Sequence, residues 1–443
     1  MKHIVIDTGL GKGISEYGNM GDVAMLQVAV ARLQKLFPEA CIEVLTDSAE
    51  NLAQFCPAAR PLDNLGRTLW FANGVLLGRY TRVVPKWCLD LLVRCKRTVR
   101  SGCPTLVRAI VIWRLKRRNR SGDAKAVMTF TRALQDADLL LICGAGGFYD
   151  GCQAWNLDIL ELLEAAIQRG VPVVMLGQGF GPISDPVVLA RSAKVLPLIK
   201  FITLRGNRGA LALLRSLGVP DSNVETTGDE AVELAYESRS GARGQGLGIN
   251  FRFAGSAGTD DEDVESIRPV LRDFASHHSV PLIPLPIAMH AYTRDDLAIR
   301  QLLKGLNEQS DRGETLDSPL KVVQRTALCR VVVTGAYHAA VFALAQGIPV
   351  VGIAKSAYFS SKFLGLEDQF GEGCETVLLN KPALPQRLQS AIERAWQNAD
   401  RLRAPLQAAA LKQIEASRSS YERLKDLVYG VNNSVDYVSA GTK

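Results

Sequence analysis

With 443 residues, 47% of them hydrophobic and 22% charged, the chain is too long for one ordinary core and too apolar for a disordered or low-complexity protein, so two folded domains are expected. Its net charge of +7 is unevenly placed: sixteen Lys or Arg against Asp63, Asp90 and Asp123 give +13 between Arg60 and Lys125, leaving −6 for the rest. Nine cysteines form no CxxC pair and no Cys/His metal spacing; they read as reduced cytoplasmic thiols used as small apolar residues, and no metal site is expected.

The N-terminus goes straight into the strand pattern "HIVID", with no charged leader ahead of an apolar run, so no export signal is expected. The helical run "DVAMLQVAVARLQKLF" and the strand "CIEVL" follow. The basic window, residues 60–125, is the irregular part of the first half. Beyond it, strands "LLLIC", "VPVVML" and "FITL" alternate with helices "NLDILELLEAAIQRG" and "RGALALLRSLG". Short Val/Ile/Leu runs alternating with helical patterns predict parallel sheets built from βαβ units. A polar, Gly-rich break at 236–246 lacks apolar periodicity and divides the chain. The second half repeats the scheme with "LGINF", "VPLIPL", "PLKVVQRTAL", "RVVVT" and "IPVVGI".

The last long helical stretch is amphipathic, is expected to be interrupted at Pro405, and is expected to cross back to the first domain; the end, "NNSVDYVSAGTK", is expected to be disordered. No uncharged apolar stretch approaches the ~20 residues a membrane span needs. The expected fold class is therefore α/β, with two Rossmann-like domains built on parallel sheets. The first is residues 1–238, carrying the basic apolar insertion at about 60–125; the second is 246–400; a helix and tail occupy 401–443.

Several loops after these strands could carry chemistry. In "YGNMGDVAMLQ", Gly18 and Gly21 permit tight turns, Asp22 can cap the helix, and the free N–H groups could receive an anion or a sugar hydroxyl; a plain turn and cap is the alternative. "LLLICGAGGFYDGCQAW" sets Gly146 and Gly147 at the carboxyl end of a buried strand, and "LGQGFGPI" does the same with Gln178 between Gly177 and Gly179. That is the edge where open α/β sheets bind ligands. Arg205, just past "FITL", and Arg208 one turn on could bind a carboxylate or phosphate, or be solvated.

In the second half, His338 follows Gly335 and Tyr337 where a strand gives way to a helix. It could act as acid or base or donate to an anion, or be a buried histidine bonded to backbone. Lys355 and Lys362 add charge near the same edge, or are surface lysines. "PLPIAMHAYTRDDLAIR" supplies His290, Arg294, Asp295 and Asp296, the two carboxylates being candidate bases or helix caps, and Asp229 has the same ambiguity. The basic window interleaves Trp and aliphatic residues with Arg and Lys, a composition that fits an anionic membrane surface or lipid-linked ligand; a solvated basic subdomain is the alternative, and no nucleic-acid partner is expected.

Taken in order, "GNMGD", "GAGGFYD", "GQGFGPI", "ITLRGNRGALALLRSLGV", "TTGDEAVEL" and "GAYHAAVFALAQGIPVVGI" resemble the polysaccharide pyruvyl transferase family. The resemblance implies a GT-B-like pair of domains with the ligand cleft between them and the donor on the second. It implies transfer of pyruvate from phosphoenolpyruvate to hydroxyls of a bacterial polysaccharide or its lipid-linked saccharide precursor, with no cofactor, in the cytoplasm and peripherally at the inner face of the membrane. In family terms Arg205 corresponds to a donor-binding arginine and His338 to the histidine of an Arg-Leu-His motif, while Gly18, Asn19, Gly21 and Asp22 would line the cleft. That motif reads Ala336-Tyr337-His338 here, and Arg208, Arg252 or Lys355 are the candidates to replace the missing charge. His338 is then the expected acid and Asp295 or Asp296 the expected base. A nucleotide-sugar glycosyltransferase and a non-catalytic scaffold of polysaccharide assembly are the competing readings.

Overall fold

The computed structural model describes residues 1–8, 18–72, 95, 98–100, 102–144, 146–206, 208–290, 293–305 and 311–429. The first half is built on seven parallel strands: β1 (His3–Asp7), β2 (Cys41–Thr46), β3 (Arg60–Asp63), β4 (Leu139–Ile142), β5 (Val173–Gln178), β6 (Phe201–Leu204) and β7 (Val224–Thr226), in the order β3-β2-β1-β4-β5-β6-β7. The central strands are buried on both faces, as strands covered by helices on each side must be. Side chains alternate between the two layers. Ile4 and Ile6 point to the helix Met20–Leu36, whereas Val5, Leu140 and Ile142 point to the helices Asn64–Phe71, Ser121–Asp136 and Gln153–Ile167.

The second half holds five parallel strands, β8 (Gly246–Asn250), β9 (Leu282–Pro284), β12 (Cys329–Thr334), β13 (Val350–Ala354) and β14 (Cys374–Leu378), ordered β14-β13-β12-β8-β9. Two short strands, β10 (Met289–His290) and β11 (Thr293–Arg294), pair as a separate antiparallel ribbon. Strand order reverses between β1 and β4 in the first sheet and between β8 and β12 in the second. Such switch points leave a crevice beyond the strands' carboxyl ends, where the loops diverge to opposite faces.

Residues 238–245 connect the helix Ala231–Glu237 to β8. The halves do not separate into isolated cores: Met25 and Val232 of the first belong to one apolar layer with Val322, Val332 and the wholly buried helix Tyr337–Ala345 of the second. Across them lies the helix Leu384–Tyr429, about 70 Å long at 1.5 Å per residue. Its first part packs Trp396 on Phe274, ring centres 5.3 Å apart. Its last part crosses to the first half, where Arg418 binds Glu237 at 2.7 Å, Tyr421 and Leu424 are buried, and Tyr429 meets Phe37 with ring centres 5.6 Å apart.

The expected interruption at Pro405 does not occur. Pro405 sits on the exposed side, so the carbonyl it leaves without a partner faces water and the helix continues. Nor are the described residues of the basic window irregular: they form β3, the helices Asn64–Phe71 and Pro104–Arg117, and the start of Ser121–Asp136. Among the described residues no helix is long and apolar enough to cross a membrane. The expected disordered end, 432–443, lies outside the described residues.

A candidate active site between the two switch points

The loops leaving both switch points converge. On the first-half side Asn19 caps the helix Met20–Leu36 by accepting from Gly21 N at 3.1 Å. The same segment is stitched to the other half: Met20 N donates to Ile287 O at 2.8 Å and Met289 N to Gly18 O at 2.7 Å. On the other side Thr334 Oγ1 accepts from Ala336 N at 2.8 Å and turns the chain from β12 into the helix Tyr337–Ala345, whose first turn carries His338. The imidazole lies directly over Gly21, where any Cβ would overlap it. Between these elements opens a cleft of about 920 Å³, counting space continuous with solvent; Asn19, Asp22, Arg205, Arg252, His338 and Lys362 are among the residues lining it.

One buried carboxylate organises its floor. Asp229 starts the helix Ala231–Glu237 by accepting from Ala231 N at 2.9 Å, and its Oδ2 lies 3.5 Å from both Arg205 Nη1 and His338 Nε2. Burial works against charge on Asp229, but His338 and Arg205 outweigh it and hold its pKa below the usual carboxylate value. The Arg205 guanidinium also stacks over the Tyr337 ring at 4.5 Å, and its free edge reaches the cleft because residue 146 is glycine: a Cβ there would collide with it.

Opposite stands Lys362, on the helix Ala357–Phe370. Its ammonium lies 4.0 Å from the Tyr358 ring centre and 5.7 Å from that of Tyr337, with no hydrogen bond or ion pair among the described residues. Burial, then the nearby charges of Arg205 and Arg252, push its pKa well below the ordinary lysine value. Tyr358 closes over the same space, stacking on Tyr149 of the other half with centres 3.9 Å apart and donating to Gly146 O. A side pocket of about 470 Å³ continues from Arg205 and Lys362 past Gly179 and Arg208. The arrangement brings together cations from both halves and one His–Asp pair, with Asp22 as the open carboxylate among the described residues that line the cleft, a charge balance suited to an anion.

The profile of the polysaccharide pyruvyl transferase family matches residues 19–356, most of the chain, from the Asn19 cap to the end of β13 and beyond. The chain belongs to this family. It is thereby a transferase of polysaccharide biosynthesis. Solved structures share its fold at low identity: the UDP-GlcNAc 2-epimerase of Neisseria meningitidis bound to UDP-GlcNAc is 12% identical, with 96% of this chain and 99% of that chain covered and a TM-score of 0.53. The S. aureus MnaA–UDP complex is 15% identical, with 97% of each chain covered and a TM-score of 0.52. These place the molecule in the GT-B architecture expected from the sequence. No curated protein matches the chain in sequence.

The pyruvyl transferase cleft gathers Gly18, Asn19, Gly21, Asp22, Gly146, Gly147, Arg205, Arg252, Tyr337 and His338 in or around one space, but other expected site residues are committed elsewhere. Asp295 is not an available base: its carboxylate holds Arg252 through two 3.0 Å bonds and accepts from Asn250 Nδ2, Ile287 N and Ala288 N at 2.9–3.0 Å. Five donors, four of them on Oδ2, fix the carboxylate as the anchor of Arg252. Asp296 is likewise taken, by Arg294 at 2.8 and 2.7 Å. Lys355 bonds Asp260 and Asp263 at 3.0 and 2.8 Å, away from the cleft. Arg208 grips Asp368 across the halves at 2.9 and 2.8 Å. Gln178 is wholly buried, its amide donating to Ile142 O, Cys143 O and Leu176 O, so it pins β4 to β5.

Three cleft residues were not assigned to the site from sequence, Lys362 being left open between charge near this edge and a surface lysine. Lys362 and Tyr358 stand four residues apart on one helical face, a spacing visible in "SAYFSSKFLGL" once its helix is known. The third, Tyr149, sits in "GAGGFYD" but carries no signal of its own. Far from the cleft, at the amino ends of β1 and β2, His3, Cys41 and Glu43 lie close enough to hold an ion, although His3 Nε2 and Glu43 already pair at 2.7 Å.

Proposed function

We propose that the protein transfers the pyruvyl group of phosphoenolpyruvate to two hydroxyls of one sugar in a bacterial polysaccharide or its lipid-linked precursor, and that it does so in the cytoplasm. The observation that supports the donor is Lys362, an ammonium without an acidic partner among the described residues, facing Arg205 from the opposite half. A small trianion with a carboxylate at one end and a phosphate at the other suits two such cations. Lys362 also supplies the charge that Ala336 lacks relative to the family's arginine. The eight described cysteines are all free, in keeping with a reducing compartment.

In this reading His338, oriented by Asp229, protonates the methylene carbon of the donor, leaving an oxocarbenium-like centre whose attached carboxylate and phosphate are held by Arg205 and Lys362. A sugar hydroxyl adds to that centre and gives its proton to Asp22, the open carboxylate of the cleft. A second hydroxyl then attacks the same carbon and passes its proton to the departing phosphate oxygen as that carbon–oxygen bond breaks, leaving a cyclic ketal and hydrogen phosphate, and the proton on Asp22 returns through solvent to His338. General acid catalysis of this kind contributes about 10²- to 10⁴-fold.

The test is to incubate the protein with labelled phosphoenolpyruvate or with UDP-GlcNAc and follow thermal protection. Phosphoenolpyruvate should raise the melting temperature of the wild type, and Lys362→Met should require at least about tenfold more of it. His338→Ala should bind the donor yet turn over about 10²-fold more slowly or worse. Protection by UDP-GlcNAc alone would overturn the donor assignment in favour of a glycosyltransferase, and protection by neither in favour of a non-catalytic scaffold.

A further inference from the structure

Helix Pro104–Arg117 has two unlike faces. Val107, Val111 and Leu115 are buried against the rest of the first half. Leu106, Ile110 and Trp113, at positions i, i+4 and i+7, form a second apolar stripe pointing outward, with Trp113 56% and Leu106 58% exposed. Val99 and Met128, on the segments before and after this helix, are exposed as well. A helix that serves only to cover a sheet needs the first face and gains nothing from the second.

The charge beside this stripe is of one sign. Lys116, Arg117, Arg118 and Arg120 crowd the helix end, and Asp123 is the only acid in the sequence between Gly102 and Lys125. Arg120 takes that acid, Arg117 lies over the Trp113 ring at 5.2 Å, and Lys116 and Arg118 have no acidic partner among the described residues.

Position in the fold adds a third observation. The helix Ser121–Asp136 ends two residues before β4 begins, so it must run antiparallel to that strand, with Ser121 on the side of the strands' carboxyl ends. Gly66, early in the helix that follows β3, packs against Ala126 and confirms the direction. Only three residues separate Arg117 from Ser121. The basic end of Pro104–Arg117, with Trp113 one turn before it, therefore stands on the side where the cleft opens.

We infer that the Leu106–Ile110–Trp113 stripe and its basic end form a docking surface for an anionic phospholipid bilayer, seating the cleft beside the membrane. Apolar side chains would enter the headgroup boundary, and Lys116 and Arg118 would meet the lipid phosphates. Charge complementarity selects this occupant: two copies of so cationic a face would repel, and a bare phosphate backbone has no use for an exposed tryptophan and isoleucine. The inference stands apart from the donor chemistry.

Sedimentation of the full chain with vesicles tests it. The wild type should pellet with phosphatidylcholine vesicles containing phosphatidylglycerol, not with phosphatidylcholine alone, and salt should release it. The double change Ile110→Ser, Trp113→Ser should bind about tenfold more weakly, as should Lys116→Gln with Arg118→Gln, both with wild-type circular dichroism and unchanged protection by phosphoenolpyruvate. Failure of the wild type to pellet, or pelleting of both variants like the wild type, would overturn the proposal. So would preferential binding to duplex DNA, or a wild-type dimer that the Ile110→Ser, Trp113→Ser change splits.

Discussion

At Gly21 the first half of the chain touches the His338 ring of the second, and the absence of a side chain is what lets the imidazole reach Asp229. Gly21→Ala would push the ring out of line at an overpacking cost of about 1–3 kcal/mol. We expect turnover, followed as phosphate release from phosphoenolpyruvate, to fall by about 10²-fold or more. Gly122→Ala is the control, because open space surrounds its Cβ in the helix Ser121–Asp136; it should leave turnover unchanged and raise stability slightly.

Glu230, next to Asp229 in sequence, has a different fate. Burial raises its pKa from 4.5 to about 7, although Arg32 and the Tyr421 hydroxyl, 2.5 Å from Oε1, act the other way. A folded-state pKa above the unfolded one means that the native protein holds the proton more tightly. The stability this contributes is complete below pH 4.5 and is lost as pH rises through about 7, on the order of 3 kcal/mol over the window. Glu230→Gln should therefore flatten the fall in melting temperature between pH 5 and 7; an unaltered slope would assign it to other groups.

At the scale of the element, the long helix Leu384–Tyr429 carries stability from one half to the other. Leu424 is fully buried near its end, so Leu424→Ala should cost about 2–5 kcal/mol in urea unfolding although it does not line the cleft. The same elements show what a sequence can reveal. Interior strands such as "LLLIC" and "FITL" were legible because both faces are buried and their residues form unbroken apolar runs. The edge strands β3 "RPLD" and β7 "VET", and β14 "CETVL", were not, since half of each faces solvent and its residues are correspondingly polar. The loops around Gly21, Arg205 and His338 could be picked out because they follow strongly marked strands. Asp295 could not be separated from a catalytic base, because its partner Arg252 is 43 residues away and nothing local announces the pair. Lys355 precedes the helix Ala357–Phe370 and Lys362 lies on it, a boundary that the sequence between them does not display.

At the scale of the whole molecule, the two reversals of strand order face each other, so neither half contains the site. Asp229, Arg205 and Asp22 come from the first; His338, Lys362 and Arg252 come from the second. Contacts on both sides of the cleft, Met20 with Ile287 and Arg208 with Asp368, hold the halves close together. An anion bound between Arg205 and Lys362 adds a further tie, which is why thermal protection is a sensitive readout of the donor.

The long helix also determines where the polypeptide can be severed. Arg403 Nη2 already binds Ser240 O in the connection between the halves at 2.7 Å, and the helix that bears it ends against the opposite half. A break between Ser240 and Gly241 would leave two fragments clasped by Arg418, Tyr421 and Leu424. Encoded as separate genes and produced in one cell, residues 1–240 and 241–443 should co-purify through a tag on either piece and regain donor-dependent activity that neither has alone. Fragments that elute apart would mean that the covalent connection, and not the returning helix, keeps the halves in register.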